Sequence, residues 1–288
     1  GGTIVNLLAA GKRLAVLGDS AHPYTTLAPA YEAGVARTFF DLLDKGFIVQ
    51  NKKPVHWCAS CETALAEAEV EYEDHTSPSA TVKFEALSDF GERFPAWQGK
   101  KVYVLIWTTT PWTLPANLAI AFHPDYLYVA AEVNGEVWLL AEALLEQVMA
   151  KARKAKYRIL TQFPGKEVEG LKVRHPFIDR ESVLILARYI TLDTGTGAVH
   201  TAPGHGQEDY ESGIEYNIPV YSPVDNQGRF TSDVPFFAGQ FVFDANEAVN
   251  RKLAEVGALI LSEPYAHQYP HCWRCKNPII FRATEQWF

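Results

Sequence analysis

The sequence predicts a mixed α/β domain with a barrel-like or curved sheet, inserted into a small four-cysteine module behind a short helical flank. Three observations carry that reading. All four cysteines fall in two CxxC pairs, Cys58/Cys61 and Cys272/Cys275, with residues 62–271 between them. From Ser79 onward the chain is dominated by short β-branched and aromatic runs, and helix-period patterning is confined to a few stretches. The expected seams give a flank over 1–50, a first knuckle over 51–75, the inserted domain over 76–262, and a second knuckle with its return strand over 263–288.

Composition sets the outer limits. Hydrophobic residues make up 48% and charged residues 21% of 288, which suits a packed core and not a disordered chain. No apolar run approaches the roughly 18 residues of a membrane span, and no secretory signal opens the sequence, so no membrane partner and a cytoplasmic location are expected. The net charge of −8 excludes a uniformly basic surface. Any polynucleotide must be held by local patches against a repulsive mean field.

Two CxxC knuckles can present four thiolates to one tetrahedral zinc ion at about 2.3 Å per bond. Two separate sites completed by His or Asp, or metal-free and redox-active thiols, are the alternatives. A redox CxxC sits at a helix start beside a strand and does not come as two distant copies. Nothing points to an oxidising compartment, which weighs against disulfides. If both knuckles grip one ion, the intervening chain leaves a small zinc module and returns to it, as a domain inserted through two adjacent strands does.

In chain order, Leu27–Leu43 reads as a helix with Tyr31, Val35, Phe39 and Leu42 near helical spacing, closed by Gly46. Lys101–Thr110 (KVYVLIWTTT) reads as a strand halted by Pro111. Tyr126–Val133 and Val137–Leu140 flank Asn134-Gly135, a strong hairpin signal. Glu142–Lys156 reads as an amphipathic helix with Leu144, Val148 and Ala152 on one face. Its end carries Lys151, Arg153, Lys154 and Lys156, cations that suit a solvated helix C-terminus. Ser222–Arg229 reads as a turn. A further helix is expected from Asp244, with Glu247 completing a capping box, through Val249, Leu253 and Val256.

Three segments concentrate small polar residues beside Gly and Pro: Trp107–Asn117 (WTTTPWTLPAN), Asp193–Tyr210 (DTGTGAVHTAPGHGQEDY) and, more weakly, the turn Ser222–Arg229 (SPVDNQGR). Alternation sends Thr108 and Thr110 to one face of the strand and Thr109 to the other. Threonine is also an ordinary strand former, but Pro111 places these hydroxyls at a sheet rim. In the second segment Gly195 and Gly197 permit close backbone approach, His200 falls at a strand end, and Pro203, Gly204 and Gly206 force a tight loop. Gln207, Glu208 and Asp209 then open a helix running to about Tyr216. Taken singly, Asp209 reads as a helix-dipole complement and His200 as a structural histidine. No Lys-Ser/Thr follows the glycines, so this is not a phosphate-binding loop of the Walker type.

Together the first two segments resemble the editing domains of class I aminoacyl-tRNA synthetases, specifically those of the isoleucyl-tRNA synthetases. The flanks KPVHWCASCETALAEAEVEY and YPHCWRCKNPIIFRATEQWF agree, and the resemblance covers about Leu14 to Phe288. Valyl and leucyl relatives share the Gly-Thr-Gly-Ala-Val core but differ after the threonines and at His200. The signatures of ATP binding in the class, of the His-Ile-Gly-His and Lys-Met-Ser-Lys-Ser types, do not occur here, so adenylate formation is not expected of this chain. Ser20 stands where the family usually has Trp.

The resemblance implies a β-barrel-like editing domain set in a zinc-ribbon junction, acting on valine esterified to the acceptor end of tRNA(Ile), with the remainder of a synthetase as partner. Asp209 would bind the α-ammonium. Thr108, Thr109, Thr110 and His200 would line the side-chain pocket, with His200 and a threonine supplying bulk against isoleucine. Trp107, Thr113, Asn117, Gly197 and Gly204 would contribute to substrate binding, with Thr113 and Asn117 reaching the backbone or terminal ribose. Cys58, Cys61, Cys272 and Cys275 would hold a structural zinc. No side chain is an evident nucleophile, so water held by Thr hydroxyls and carbonyls is expected to attack, with the vicinal ribose hydroxyl helping; His200 as general base is the lesser option. Two rivals stand beside this reading: a metallohydrolase using His200, His205 and Asp209, and a zinc-ribbon tRNA-binding or structural module without hydrolytic activity. The His200/His205 spacing crosses Pro203 and Gly204, unlike the helical pair of a zinc hydrolase.

Overall fold

The computed structural model describes residues 9–11, 13, 22, 24–87 and 89–288, and the chain divides into two units. Residues 1–8 and Ser20 lie outside the described residues. The first unit is Gly1–Asn51 with Gln286–Phe288. Its helix α1 (Pro29–Asp44) opens on a proline, whose missing N–H would have no partner in a first turn, and is followed by Gly46 at φ 75°. Val35 and Phe40 on this helix stand exposed. Phe39 meets Trp287 edge to face at 5.4 Å, and Val49 and Phe288 exchange two backbone hydrogen bonds of 2.9 Å.

The second unit, Lys52–Glu285, contains the remaining elements except the first two residues of β1 and the last two of β13. They run β1 (Gln50–Cys58), β2 (Thr63–Leu65), β3 (Val70–Ala86), α2 (Asp89–Arg93), β4 (Lys101–Thr108), β5 (Ala119–Phe122), β6 (Leu127–Val133), β7 (Glu136–Ala141) and α3 (Leu145–Lys151). There follow β8 (Arg158–Pro164), β9 (Lys172–Arg174), β10 (Glu181–Leu186), β11 (Ala198–Thr201), α4 (Gln207–Glu215), α5 (Val242–Glu255), β12 (Leu259–Cys272) and β13 (Ile280–Trp287).

Two sheets result. A three-stranded sheet has the order β13-β1-β2; a ten-stranded sheet runs β11-β5-β10-β9-β3-β4-β7-β6-β8, with β12 paired to β3. The large sheet ends in β11 and β8, so it is open and does not close as a barrel. Its central strands read as near-continuous apolar runs because both faces are covered: Leu105, Ile106, Leu139 and Leu140 are all fully buried. The hairpin between β6 and β7 turns at Asn134 (φ 52°) and Gly135 (φ 85°), the two left-handed residues a tight hairpin of right-handed twist requires. β3 and β12 form one long antiparallel ladder from Val70↔Cys272 to Val82↔Leu259. The insert therefore departs and returns through neighbouring strands, as the cysteine spacing predicts.

Two helix boundaries differ from expectation. Glu142–Lys156 splits into a 3-10 turn, Glu142–Leu144, and α3, which stops at Lys151. Arg153 adopts φ 53°, and bonds from Lys154 N to Met149 O and Arg153 N to Ala150 O seal the helix, so Arg153, Lys154 and Lys156 lie beyond its end. α5 begins at Val242 after Phe241, with no side-chain cap. Asp244 and Glu247 sit inside the helix, where the acid at 244 complements the dipole and the expected capping box does not form. No helix among the described residues is long and apolar enough to cross a membrane.

Candidate functional site

β4 ends at Thr108, where the Thr110 amide donates to Thr108 Oγ1 at 3.0 Å and the two hydroxyls lie 3.3 Å apart. Pro111 cannot continue the ladder and opens a 3-10 turn, Pro111–Ala116. That turn brings Thr113 back, so its Oγ1 donates to Thr110 O at 2.8 Å and lies 2.7 Å from His200 Nε2.

His200 is held from both sides. The register sets β11 beside β5 (His200↔Ile120) and β5 beside β10 (Ala119↔Val183), which gathers Asn117, Ser182 and His200 at one point. Asn117 Nδ2 donates to His200 Nδ1 at 3.0 Å and to Ala119 O at 2.8 Å; its Oδ1 accepts from Ser182 Oγ at 2.6 Å. An amide nitrogen only donates, so Nδ1 is bare and the ring proton sits on Nε2, facing Thr113. Burial, reinforced by His175 and His205, pushes the imidazole pKa down to about 3. His200 is thus a neutral ring with both nitrogens engaged.

Asp209 stands in the first turn of α4. Its Oδ2 accepts the Ala202 amide at 2.8 Å, and the Tyr189 hydroxyl lies 3.5 Å from Oδ1. Burial pushes the carboxyl up to about 6, although the Ala202 amide pulls the other way. The residue itself is half-buried and its carboxylate opens onto the cleft described next.

These groups share one cleft of about 390 Å³. Trp107, Thr108, Thr109, Thr110, Thr113, His200 and Asp209 all line it. Three of the expected residues do not. Asn117 is fully buried behind His200 and reaches the cleft only through that ring. Gly197, at φ 77°, packs so tightly that a Cβ there would come within 2.3 Å of Ala141 Cβ; one on Gly204 would fall 2.1 Å from Tyr221 O. Both glycines serve close packing. Tyr189, Thr191, Thr194 and His205 also line the cleft. His205 Nδ1 donates to Phe281 O at 2.9 Å, and the Ala283 amide donates to Gly204 O at 2.8 Å, so β13 braces the loop that leads to Asp209. The only sequence signal for Thr191 and Thr194 was their position just before Gly195.

The four cysteines form a second cluster. Their Sγ atoms all lie within 4.8 Å of one another, with Cys58 and Cys275 3.5 Å apart. A tetrahedron with 2.3 Å bonds has edges of about 3.8 Å, within reach of this set. The Cys61 amide donates to Cys58 Sγ at 3.3 Å, a contact that favours a thiolate. Burial pushes the Cys58 thiol up to about 12, which a bound cation would reverse. The knuckles therefore build one site that could hold a metal ion, not two.

The chain thus combines an inserted domain on a two-stranded stem, a polar cleft and a four-thiol knuckle. The model of the family described as tRNA synthetases class I (I, L, M and V) matches residues 6–288, and the chain belongs to that family. Among curated relatives it is 54% identical over 277 residues to an isoleucine–tRNA ligase of Geobacter sulfurreducens, covering 96% of this chain and 30% of the relative. An isoleucine–tRNA ligase of Desulfovibrio desulfuricans is 53% identical over 279 residues, with the same coverage. The chain thus spans about three tenths of the length of the curated relatives it matches. Among solved structures, GlLeuRS-CP1 superposes with a TM-score of 0.52 at 19% identity, covering 64% of this chain and 98% of that one. The P. falciparum cytosolic leucyl-tRNA synthetase editing domain does so with a TM-score of 0.52 at 13% identity, covering 66% and 100%. The fold is that of a synthetase editing domain.

Proposed function

We propose that this chain is the editing module of an isoleucyl-tRNA synthetase and that its cleft hydrolyses the ester of valine mischarged onto tRNA(Ile). The observation that supports the reading is a half-buried carboxylate, Asp209, lining the same cleft as Thr108–Thr110 and a histidine held in its neutral form. The carboxylate pairs with the α-ammonium and fixes the amino acid's orientation. His200 and the threonines limit the length of the aliphatic side chain. One methylene in an apolar pocket is worth only about 1–3 kcal/mol, a magnitude for which the isoleucine–valine pair is itself the standard example, so a second, size-limited site multiplies the discrimination.

The ester is cleaved by water. Water held by threonine hydroxyls attacks the carbonyl carbon, the bond to the ribose oxygen breaks, and that oxygen leaves as a hydroxyl, with the vicinal hydroxyl assisting. His200 holds its proton throughout. The four cysteines suit a structural zinc, which would tie the first knuckle to the end of β12 and take no part in the reaction. The partners in this reading are the acceptor end of tRNA(Ile) and the remainder of the synthetase, in the cytoplasm. Deacylation of Val-tRNA(Ile) tests it: Asp209→Ala should abolish turnover with the fold intact, and undiminished turnover would remove the carboxylate from the scheme.

A further inference from the structure

The turn that carries Thr113 is fastened from outside the cleft. A helical turn leaves its last carbonyls without partners of its own. At the end of Pro111–Ala116, three carbonyls are taken by the loop that joins β9 to β10. His175 Nε2 donates to Leu114 O at 2.9 Å, and Arg180 Nη1 donates to Pro115 O and Asn117 O, each at 3.0 Å. His175 and Arg180 stand at the two ends of that loop, which the His175 amide closes on Arg180 O at 2.9 Å. His175 is buried, and its Nδ1 accepts the Phe177 and Ile178 amides at 3.3 and 3.1 Å, so its proton sits on Nε2 toward Leu114. The Arg180 guanidinium lies over the Tyr221 ring at 5.0 Å, and the Tyr221 hydroxyl donates to Asp233 at 2.8 Å. A planar cation stacked on a ring and aimed at two carbonyls has little freedom left.

Both partners of the His200 ring stand on the stretch fastened in this way. Thr113 inside the turn faces Nε2 at 2.7 Å, and Asn117 at its end donates to Nδ1 at 3.0 Å. Arg180 grips the Asn117 carbonyl, and Ser182, two residues further on, grips the Asn117 side chain. A displacement of the stretch therefore moves both ring contacts together, and neither compensates for the other. Neither His175 nor Arg180 lines the cleft. The chain repeats the same device elsewhere: Arg93 Nη1 donates to Glu167 O at 2.8 Å and Glu169 O at 3.1 Å, at the end of the 3-10 turn Gly165–Val168. No residue of that second turn lines the cleft, so the two arginines separate plain bracing of a turn from control of the ring.

We propose that Arg180 is a positioning residue for the size limit of the cleft: by holding the carbonyls of Pro115 and Asn117 it fixes the stretch that carries both partners of His200, and so fixes where that ring meets an aliphatic side chain. The proposal rests on the reading of the cleft as a size-limited ester site, and it names a residue outside the cleft that sets the limit. Misplacing a group at a reactive site by about 1 Å can cost on the order of a hundredfold in rate, so a small shift of the stretch is enough to be measured.

Two measurements on the 288-residue chain test it. The ratio of kcat/KM for Val-tRNA(Ile) to that for Ile-tRNA(Ile) reads the size limit, and the imidazole nitrogen NMR shifts of His200 read the ring without any hydrolysis. Arg180→Ala should lower the ratio about tenfold and displace the His200 signals. Arg180→Lys, which keeps a charged donor but loses the planar fork, should recover most of the ratio. Arg93→Ala is the matched control: it removes the same pair of bonds from the other turn and should leave ratio and signals as in the parent. If thermal melting shows that Arg180→Ala does not fold, Tyr221→Leu takes its place. That change removes the ring beneath the guanidinium, keeps Arg180, and should move both readouts in the same direction. The positioning role is overturned if the folded variant keeps the parent's ratio or its His200 signals, or if Arg93→Ala moves them as far. A parent that cleaves neither ester removes the reading of the cleft, and the His200 signals alone then decide the role of Arg180.

Discussion

Asn117 donates to Nδ1 of His200, and through that 3.0 Å contact a residue outside the cleft decides which imidazole nitrogen keeps its proton. The amide is itself held by Ala119 O and Ser182, so the arrangement has one self-consistent proton order running from Ser182 to Thr110.

Asn117→Ala should leave Nδ1 and the Ser182 hydroxyl without partners in the interior and cost about 1–3 kcal/mol of stability, read from denaturant unfolding. Asn117→Asp should raise the His200 pKa by placing a carboxylate against Nδ1. Imidazole NMR should show His200 neutral down to about pH 4 in the parent, and titrating at higher pH in the Asp variant. A parent imidazole that titrates near 6.5 would contradict the assigned proton order.

In the proposed hydrolysis Asp209 would give the acid limb. Burial raises its carboxyl to about 6, so turnover should fall about tenfold per pH unit below that value as the ammonium partner is lost. The stability effect has the opposite sense. A carboxyl raised above its unfolded value of about 3.9 stabilises the fold fully below that value, and the contribution is lost as pH rises through about 6. Asp209→Asn should therefore gain about 1–2 kcal/mol at pH 8 while losing hydrolysis. A variant less stable than the parent at pH 8 would refute the burial argument.

His200→Ala removes the ring that occupies the cleft beside Thr113. Ile-tRNA(Ile) should then be deacylated at a rate approaching that of Val-tRNA(Ile), narrowing a preference that a methylene alone sets at about ten- to two-hundredfold. Continued sparing of the isoleucyl ester by a folded variant would assign the size limit to the threonines.

Metal analysis should find one zinc per chain, and Cys272→Ser should lower it. Chelation should increase hydrogen exchange in β1 and β2 while the ten-stranded sheet, which has its own apolar core, keeps its protection. Two ions per chain would revive the metallohydrolase with His205.

What was legible in the sequence was mostly local. Asn134-Gly135 could be read because a tight hairpin needs two left-handed residues and few others supply them. The helix over α1 was visible in its spacing and its Gly46 stop. The threonine triplet, His200 and Asp209 announced themselves by motif, and the structure places them around one cleft. Positions fixed by tertiary packing were not legible. Asn117 reads like a substrate ligand because it follows a strand end; only the juxtaposition of β5, β10 and β11 shows it spent on His200. Tyr189, Thr191 and Thr194 carry no pattern of their own. The end of α3 was misplaced because nothing in its composition forbids helix through Lys156, and a left-handed Arg153 stops it.

Val70 and Cys272 face each other as partners in the β3–β12 ladder. A deletion reaching from one to the other could be closed by a tight turn, leaving the surrounding chain on its original course. Such a graft point would let the whole inserted unit be gained, dropped or traded between parent proteins by a single event, with neither party having to be refolded around the scar.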